Sequence, residues 1–366
     1  MMADLADKIQ EIEDEISTTP YNKATQHHIG KLKAKLAQLK EELTKKKSGG
    51  GAGGFGVKKE GDASIVLVGF PSCGKSTLLN KLTCAKSRTG SYEFTTLNVI
   101  PGVMQYKSSK IQILDLPGII EGSYRGKGRG KEILSMVRTT DLVLILVDVN
   151  KPHQIAEIKK ELYEAGLRLD CAKPNIRIKK TERGGVRVAS SVELSKLDEK
   201  LIKDILSSFS IHSAEVTLHE DASVDELIDV VSDNRAYIPS ITAVNKIDTM
   251  DRDKLIDLMK SLDRKVIPIS ATMETNLNVL RDEIYRKLGL IRLYMKPQGG
   301  EADLSEPLIV KKGVSVREVC RKIHRDFEKN FRYARIWGHS VKYSGQKKGL
   351  EHVLSDGDII SIIIKK

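Results

Sequence analysis

The sequence predicts an α/β protein whose central sheet is parallel and doubly wound, with a smaller α+β segment inserted into it. Three observations carry that prediction. Short β-branched apolar runs alternate with helical segments. A glycine-containing turn joins the first of these strands to the helix that follows. Finally, 90 residues lie between Val149 and Ser240, where a whole strand–helix–strand unit needs only ~30.

In chain order, Leu5, Ile9, Ile12 and Ile16 fall on one helical stripe, as do Ile29, Leu32, Leu36, Leu39 and Leu43. Pro20 separates the two, so residues 1–47 read as a helical hairpin whose apolar stripe should pack on this chain or on a partner. Residues 48–61 hold seven glycines in fourteen positions, the composition of a flexible tether. Strands are expected at SIVLVGF (64–70), KIQILDL (110–116), DLVLILVDV (141–149), SITAVN (240–245) and KVIPIS (265–270), with a helix starting near Gly74. Together they make residues 62–290 one α/β domain, with the insert at 168–237. Within the insert, NIRIKKTERGGVRVAS reads as a hairpin turning at Gly184-Gly185, followed by helix, strand and helix. In the tail, 291–366, EPLIVKK, YARIW, LEHVL and DIISIIIKK read as strands gripping one basic amphipathic helix, VREVCRKIHRDFEKN.

Charge narrows the range of partners. The net +12 is unevenly placed: 311–348 holds 12 Lys/Arg against 3 Asp/Glu, and 31–59 holds 9 Lys against Glu41 and Glu42. Two basic blocks fit a polyanion, and RNA is the obvious candidate. No apolar run approaches the ~18–20 residues that cross a bilayer, and the acidic, amphipathic start lacks the pattern of a signal peptide. The four cysteines are scattered, without metal-ligand spacing, which fits a reducing cytosol and a cytoplasmic location.

The chemistry sits at the strand ends. Gly69-Phe70-Pro71-Ser72-Cys73-Gly74-Lys75-Ser76, continuing into Thr77, matches G-x-x-x-x-G-K-S directly between a strand and a helix. Its backbone N–H groups can cradle phosphates at a helix N-terminus, with Lys75 on the β- and γ-phosphates and the Ser76 hydroxyl on Mg2+. Asp115-Leu116-Pro117-Gly118 follows the next strand, 39 residues beyond Ser76. Its carboxylate can hold the magnesium shell and Gly118 can offer its N–H to the γ-phosphate. Asn245-Lys246-Ile247-Asp248 ends a later strand. The Asp248 carboxylate can take both hydrogen bonds of the guanine N1–H and N2–H2 edge, a pair that adenine lacks. After the last strand, Ser270-Ala271 can present a backbone N–H to guanine O6. Between the phosphate loop and Asp115, Tyr92-Glu93-Phe94-Thr95-Thr96 offers a hydroxyl to complete the magnesium shell, with Thr96 favoured over Thr95. These strings together point to GTP and GDP rather than ATP.

These strings, with GFPSCGKSTLLNKLT, DLPGIIEGSYRGKGRGKE and the closing DGDIISI, resemble the developmentally regulated GTP-binding protein (DRG) family, within the wider Obg group of translation GTPases. The likeness spans essentially the whole chain. It implies a helical N-terminal region, an Obg-type G domain with a ribosomal-protein-like insert, and a C-terminal TGS domain of β-grasp fold. It also implies ribosome association and, in eukaryotic members, a small regulatory protein that stabilises the GTPase. Potassium-stimulated relatives carry an Asn that coordinates K+ where this chain has Ser72, which leaves K+ dependence open.

Ras-type switches place a water-orienting Gln just after D-x-x-G, whereas Ile119 and Ile120 stand here. Slow intrinsic hydrolysis is therefore expected, drawing on Lys75, Ser76, Thr96 and Gly118 and completed by another group or a partner. Arg125, Lys127 and Arg129 in the loop that follows can approach phosphates or RNA once ordered. In the tail, Phe327, Phe331, Tyr333, Trp337 and Tyr343 interleave with arginines and lysines. Phe327 and Trp337 are expected in the small core, leaving the cations, Arg321, Arg325 and Lys329 among them, for RNA. The competing readings are a phosphate-loop kinase, against which NKID and DLPG speak, and an RNA- or ribosome-binding scaffold that holds nucleotide with negligible hydrolysis.

Overall fold

The computed structural model describes residues 2–20, 22, 25–46, 61–83, 100–115, 136–263 and 265–365. The chain divides into two units, one of Met1–Gly54 with Gly166–Tyr237 and one of Phe55–Ala165 with Ile238–Lys366.

The larger unit is built on a six-stranded sheet. Its strands are β1 (Ala63–Val68), β2 (Ile100–Tyr106), β3 (Ser109–Asp115), β4 (Leu142–Asp148), β10 (Ser240–Asn245) and β11 (Ile267–Pro268), in the spatial order β11-β10-β4-β1-β3-β2. All neighbours run parallel except β2, which pairs antiparallel with β3 at the edge. β1 and β4 are apolar at nearly every position because helices cover both faces, and Ile65, Val66, Leu144 and Ile145 are fully buried. Each such side chain contributes about 1.5–3 kcal/mol by leaving water. α3 (Lys75–Leu82) and α8 (Leu277–Leu288) supply Leu78, Leu79, Leu280 and Ile284 to the same core. α4 (Gln154–Glu164) packs against β4, and α7 (Arg252–Ser261) follows β10. β1 has β3 on one side and β4 on the other, and this reversal of strand order opens a crevice at the carboxyl ends.

The same unit carries the C-terminal sheet, ordered β13-β12-β16-β14-β15. Its strands are β12 (Leu290–Met295), β13 (Leu308–Lys311), β14 (Phe331–Trp337), β15 (Gln346–Lys348) and β16 (Ile359–Ile364). α9 (Val316–Ile323) packs Val316, Val319 and Cys320 against Leu293, Ala334, Ile336 and Ile360. A capping box at Ser315 and Glu318 starts α9.

Three expectations for this tail are corrected. The single helix over VREVCRKIHRDFEKN is two, since His324 is extended (φ −161°, ψ 140°) and its ring accepts the Asp326 N–H to begin α10 (Arg325–Lys329). LEHVL forms no strand: its backbone meets the start of α9 through an isolated bridge between Ser315 and Val353 and hydrogen bonds from Val316 and Arg317, and Leu354 is buried in the core. Phe327 does pack on the core, but Trp337 lies on the outer sheet face, because the alternation that points Ala334 and Ile336 inward turns it out. Arg317 and Arg321 are also committed: both pair with Glu328, and Arg317 with Glu351. Arg321 first, then Arg317, hold the Glu328 carboxyl down at about 2.

In the smaller unit, α1 (Met2–Thr18) and α2 (Gln26–Lys46) pack together and bury Leu5, Ile12 and Ile29. The insert contributes β5 (Leu167–Leu169), β6 (Ile176–Lys180), β7 (Val186–Ser190), α5 (Glu199–Ser208), β8 (Ala214–Leu218), α6 (Val224–Ser232) and β9 (Ala236–Ile238). β5 pairs with β9. The expected hairpin at Gly184-Gly185 is corrected: β6 and β7 do not pair, because β8 lies between them, antiparallel to β6 and parallel to β7. The apolar β8, with Ala214, Val216 and Leu218 buried, takes the centre, and the strands bearing Lys179, Lys180 and Ser190 take the edges. α2 docks on α5 and α6 through small residues: Ala34 and Ala37 join the insert core, and a Cβ on Gly30 would come 2.8 Å from Leu201.

Candidate nucleotide site

Four strand ends beside the crevice, those of β1, β3, β10 and β11, carry the expected motifs. Register alone brings two of them level, with Asp115 beside Leu67 across β3–β1 and Asn245 beside Asp148 across β10–β4.

The loop after β1 turns through two residues in the left-handed region, Ser72 (φ 64°) and Gly74 (φ 96°), before α3 begins at Lys75. Gly69 and Phe70 direct their carbonyls to Lys75, whose Nζ donates to them at 2.9 and 3.0 Å. The lysine therefore lies over the loop. Ser76 and Thr77 sit exposed in the first helical turn, where backbone N–H groups have no intrahelical acceptor. Pro71 and Ser72 are exposed, while Cys73 is buried beneath the loop and burial raises its thiol pKa against the pull of Lys75.

Asp115 ends β3 facing this turn. Its Oδ2 accepts from the Ser76 hydroxyl at 3.2 Å. Its Oδ1 is buried and meets no hydrogen-bond partner among the described residues. Burial raises the carboxyl pKa, opposed by the Lys75 charge and the Ser76 hydrogen bond. A buried carboxylate oxygen lacking a donor, next to a serine hydroxyl and an ammonium, suits a hard divalent cation with oxygen ligands. The residues present fit magnesium.

Asn245, 2% exposed, ties the base-side loops to the phosphate loop. Its Nδ2 donates to Cys73 O at 2.9 Å and its Oδ1 accepts from Ala271 N at 2.9 Å. Lys246 adopts a left-handed conformation (φ 66°) and pairs with Asp148 at 2.8 Å. Ile247 donates its N–H to Ile269 O, opening a short 3-10 turn over Ile247–Thr249 that exposes Asp248. The Ser270 hydroxyl donates to Asp248 Oδ1 at 2.5 Å and accepts from Met273 N at 3.1 Å. The Ser270 and Ala271 N–H groups donate to Thr275 O and Asn245 Oδ1, so a contact from this pair to guanine O6 would share or replace one of those bonds. Ser72 offers the loop a hydroxyl on a left-handed residue.

Sequence reasoning missed Asp148 and Asn150. Asn150 donates to Asp148 Oδ1 through both its N–H (2.9 Å) and its Nδ2 (3.1 Å), while Lys246 holds Oδ2. Burial opposes ionisation of Asp148, but the hydrogen bonds from Lys246 and Asn150 outweigh it and hold the carboxyl below its usual range. The signal was present: Asp148 closes the apolar run of β4, just as Asp115 closes β3. Thr95, Thr96, Leu116, Pro117, Gly118, Ile119 and the basic loop at 121–131 lie outside the described residues.

Comparison with known proteins shows the family of the chain. Residues 64–179 match a family described as a 50S ribosome-binding GTPase, 183–290 the C-terminal region of that domain, and 291–364 the TGS domain. The chain is 51% identical to an uncharacterized GTP-binding protein of Methanocaldococcus jannaschii, covering 99% of this chain and 93% of that one. It is 47% identical to developmentally-regulated G-protein 3 of Arabidopsis thaliana, covering 100% of both. It is 46% identical to developmentally-regulated GTP-binding protein 1 of Xenopus laevis, covering 98% of both. With GTP-binding relatives matched end to end and a GTPase domain joined to a TGS domain, the chain belongs to the developmentally regulated GTP-binding protein family.

Proposed function

We propose that this protein is a magnesium-dependent GTP-hydrolysing switch that works in the cytoplasm on the ribosome, with slow intrinsic turnover that a partner accelerates. The observation that carries the chemistry is the Ser76–Asp115 pair, with a buried Asp115 Oδ1 that meets no donor among the described residues. Ser76 and Asp115, with Thr96 from the segment before β2, would hold Mg2+. Bound there, the ion would supply charge neutralisation to the β- and γ-phosphate oxygens. Lys75 exchanges its loop carbonyls for the same oxygens, and the first-turn amides of α3 with Gly118 N–H fix the γ-phosphate for in-line attack by water. Asp248, braced by Ser270, selects guanine, while Asp148 holds Lys246 beside the base-binding turn.

Ile119 and Ile120 cannot orient the attacking water, which is why the intrinsic rate is slow and a partner sets the lifetime of the GTP state. A supplied catalytic group is worth ~10³–10⁵ in rate. The ribosome reading draws support from the two basic blocks and from the ribosome-binding description of the matching family. In eukaryotic relatives a small regulatory protein would be a second partner.

The test is GTP turnover by the intact chain with and without purified ribosomes, at fixed magnesium and in sodium or potassium. At least tenfold stimulation by ribosomes is expected. Equal turnover in their presence and absence contradicts a ribosome-timed switch.

A further inference from the structure

The C-terminal sheet has two faces of opposite character. The inner one packs on α9. On the outer one, strand register sets Tyr333 opposite Ile363, Arg335 opposite both Ser361 and Lys347, and Trp337 opposite Ile359, which in turn faces Tyr294. Three half-buried aromatics and the exposed Arg335 and Lys347 thus share one open surface. Their cations lie against the rings: Lys347 Nζ is 4.8 Å from the Tyr333 ring centre and Lys296 Nζ is 5.0 Å from that of Trp337. The arginines of α9 behave differently, being tied to Glu328 and Glu351.

We infer that this outer face binds unpaired RNA, with Tyr333 and Trp337 stacking on bases while Arg335 and Lys347 take the intervening phosphates. The inference deepens the ribosomal reading by naming the part of a ribosome the face would hold. Alternating aromatic and cationic side chains on an open sheet offer π-faces to any base and positive charge to the backbone. Tyr333 and Trp337, four residues apart on β14, stand ~13 Å from each other, with Arg335 between them. Base pairing hides the base faces in duplex RNA, which is read by shape and backbone instead. The face should therefore prefer single strands.

The experiment measures anisotropy of a labelled, unstructured 12-nucleotide RNA and of the same sequence as a duplex, titrated with the full chain over a range of salt. The single strand should bind tighter. Tyr333→Leu should weaken it roughly 5- to 100-fold with little change in salt dependence. Arg335→Gln and Lys347→Gln should each lower the salt slope by about 0.7. GDP affinity and melting temperature report folding, and the exposed Lys347 on a short edge strand gives a variant that leaves the core untouched.

Wild-type single-strand affinity in all three variants, or duplex bound as tightly as single strand, would overturn the inference. Ribosome co-sedimentation separates it from the broader reading. Ribosomes retained fully by the triple variant would refute this face and spare the ribosomal role. Single-strand binding that responds as expected, without ribosome binding, would uphold the face and refute that role.

Discussion

Asp248→Asn lowers GTP affinity by roughly 10²- to 10⁴-fold and makes the protein accept XTP. Hydrogen bonds to a charged group are worth about 1.5–3 kcal/mol each, and the guanine edge offers two to this carboxylate. The Ser270 hydroxyl already donates to Oδ1, which fixes the plane of the carboxylate before ligand arrives. An asparagine keeps that bond through its own Oδ1 but turns an N–H toward the 2-amino group, setting donor against donor. Xanthine carries a carbonyl at that position and accepts the N–H. Competition binding with GTP, XTP and ATP measures the exchange. Loss of GTP without gain of XTP would mean that Asp248 supports the loop rather than reading the base.

Gly74→Ala weakens GDP binding by at least roughly 100-fold and destabilises the fold by roughly 3–5 kcal/mol. At φ 96° a side chain is strained, and a Cβ would sit 2.4 Å from Asn245 Nδ2. Backbone strain of this kind costs about 1–3 kcal/mol. Displacing Asn245 then breaks the bonds to Cys73 and Ala271, at about 1 kcal/mol each, and leaves buried polar groups unpaired. Gly313→Ala is the control, since Gly313 has a similar φ of 89° with nothing within 4 Å of the added carbon. Urea denaturation and GDP titration of the two variants isolate the collision. Equal losses would show that strain alone is at work and that Asn245 is no strut.

The strands that hold the site were legible because burial on both faces demands unbroken apolar runs, as in β1 and β4. The phosphate loop, Asp115 and Asp248 were legible because each stands at or just beyond the end of a short strand rich in apolar residues. β2 was not, since IPGVMQY at a sheet edge carries neither alternation nor a continuous apolar block. The insert hairpin misled because a Gly-Gly turn predicts local pairing, whereas β8, 24 residues beyond the end of β7 by its first residue, outcompetes both polar edges for the centre. The seam between α2 and the insert was invisible for a related reason. Gly30, Ala34 and Ala37 allow close helix approach, yet they add little to any hydropathy pattern. Asp148 closes an apolar run as well, but nothing in a strand sequence says which later lysine its last carboxylate will meet.

In the proposed function, a magnesium nucleotide rests on the amides around Lys75 with its base read by Asp248. Calorimetric titration of the intact, folded chain with GTP and ATP in magnesium tests it directly. GTP should bind at least roughly 10⁴-fold tighter, the discrimination expected of a site built around a specific hydrogen-bonded edge. ATP bound as tightly as GTP, or neither nucleotide bound at all, would contradict it.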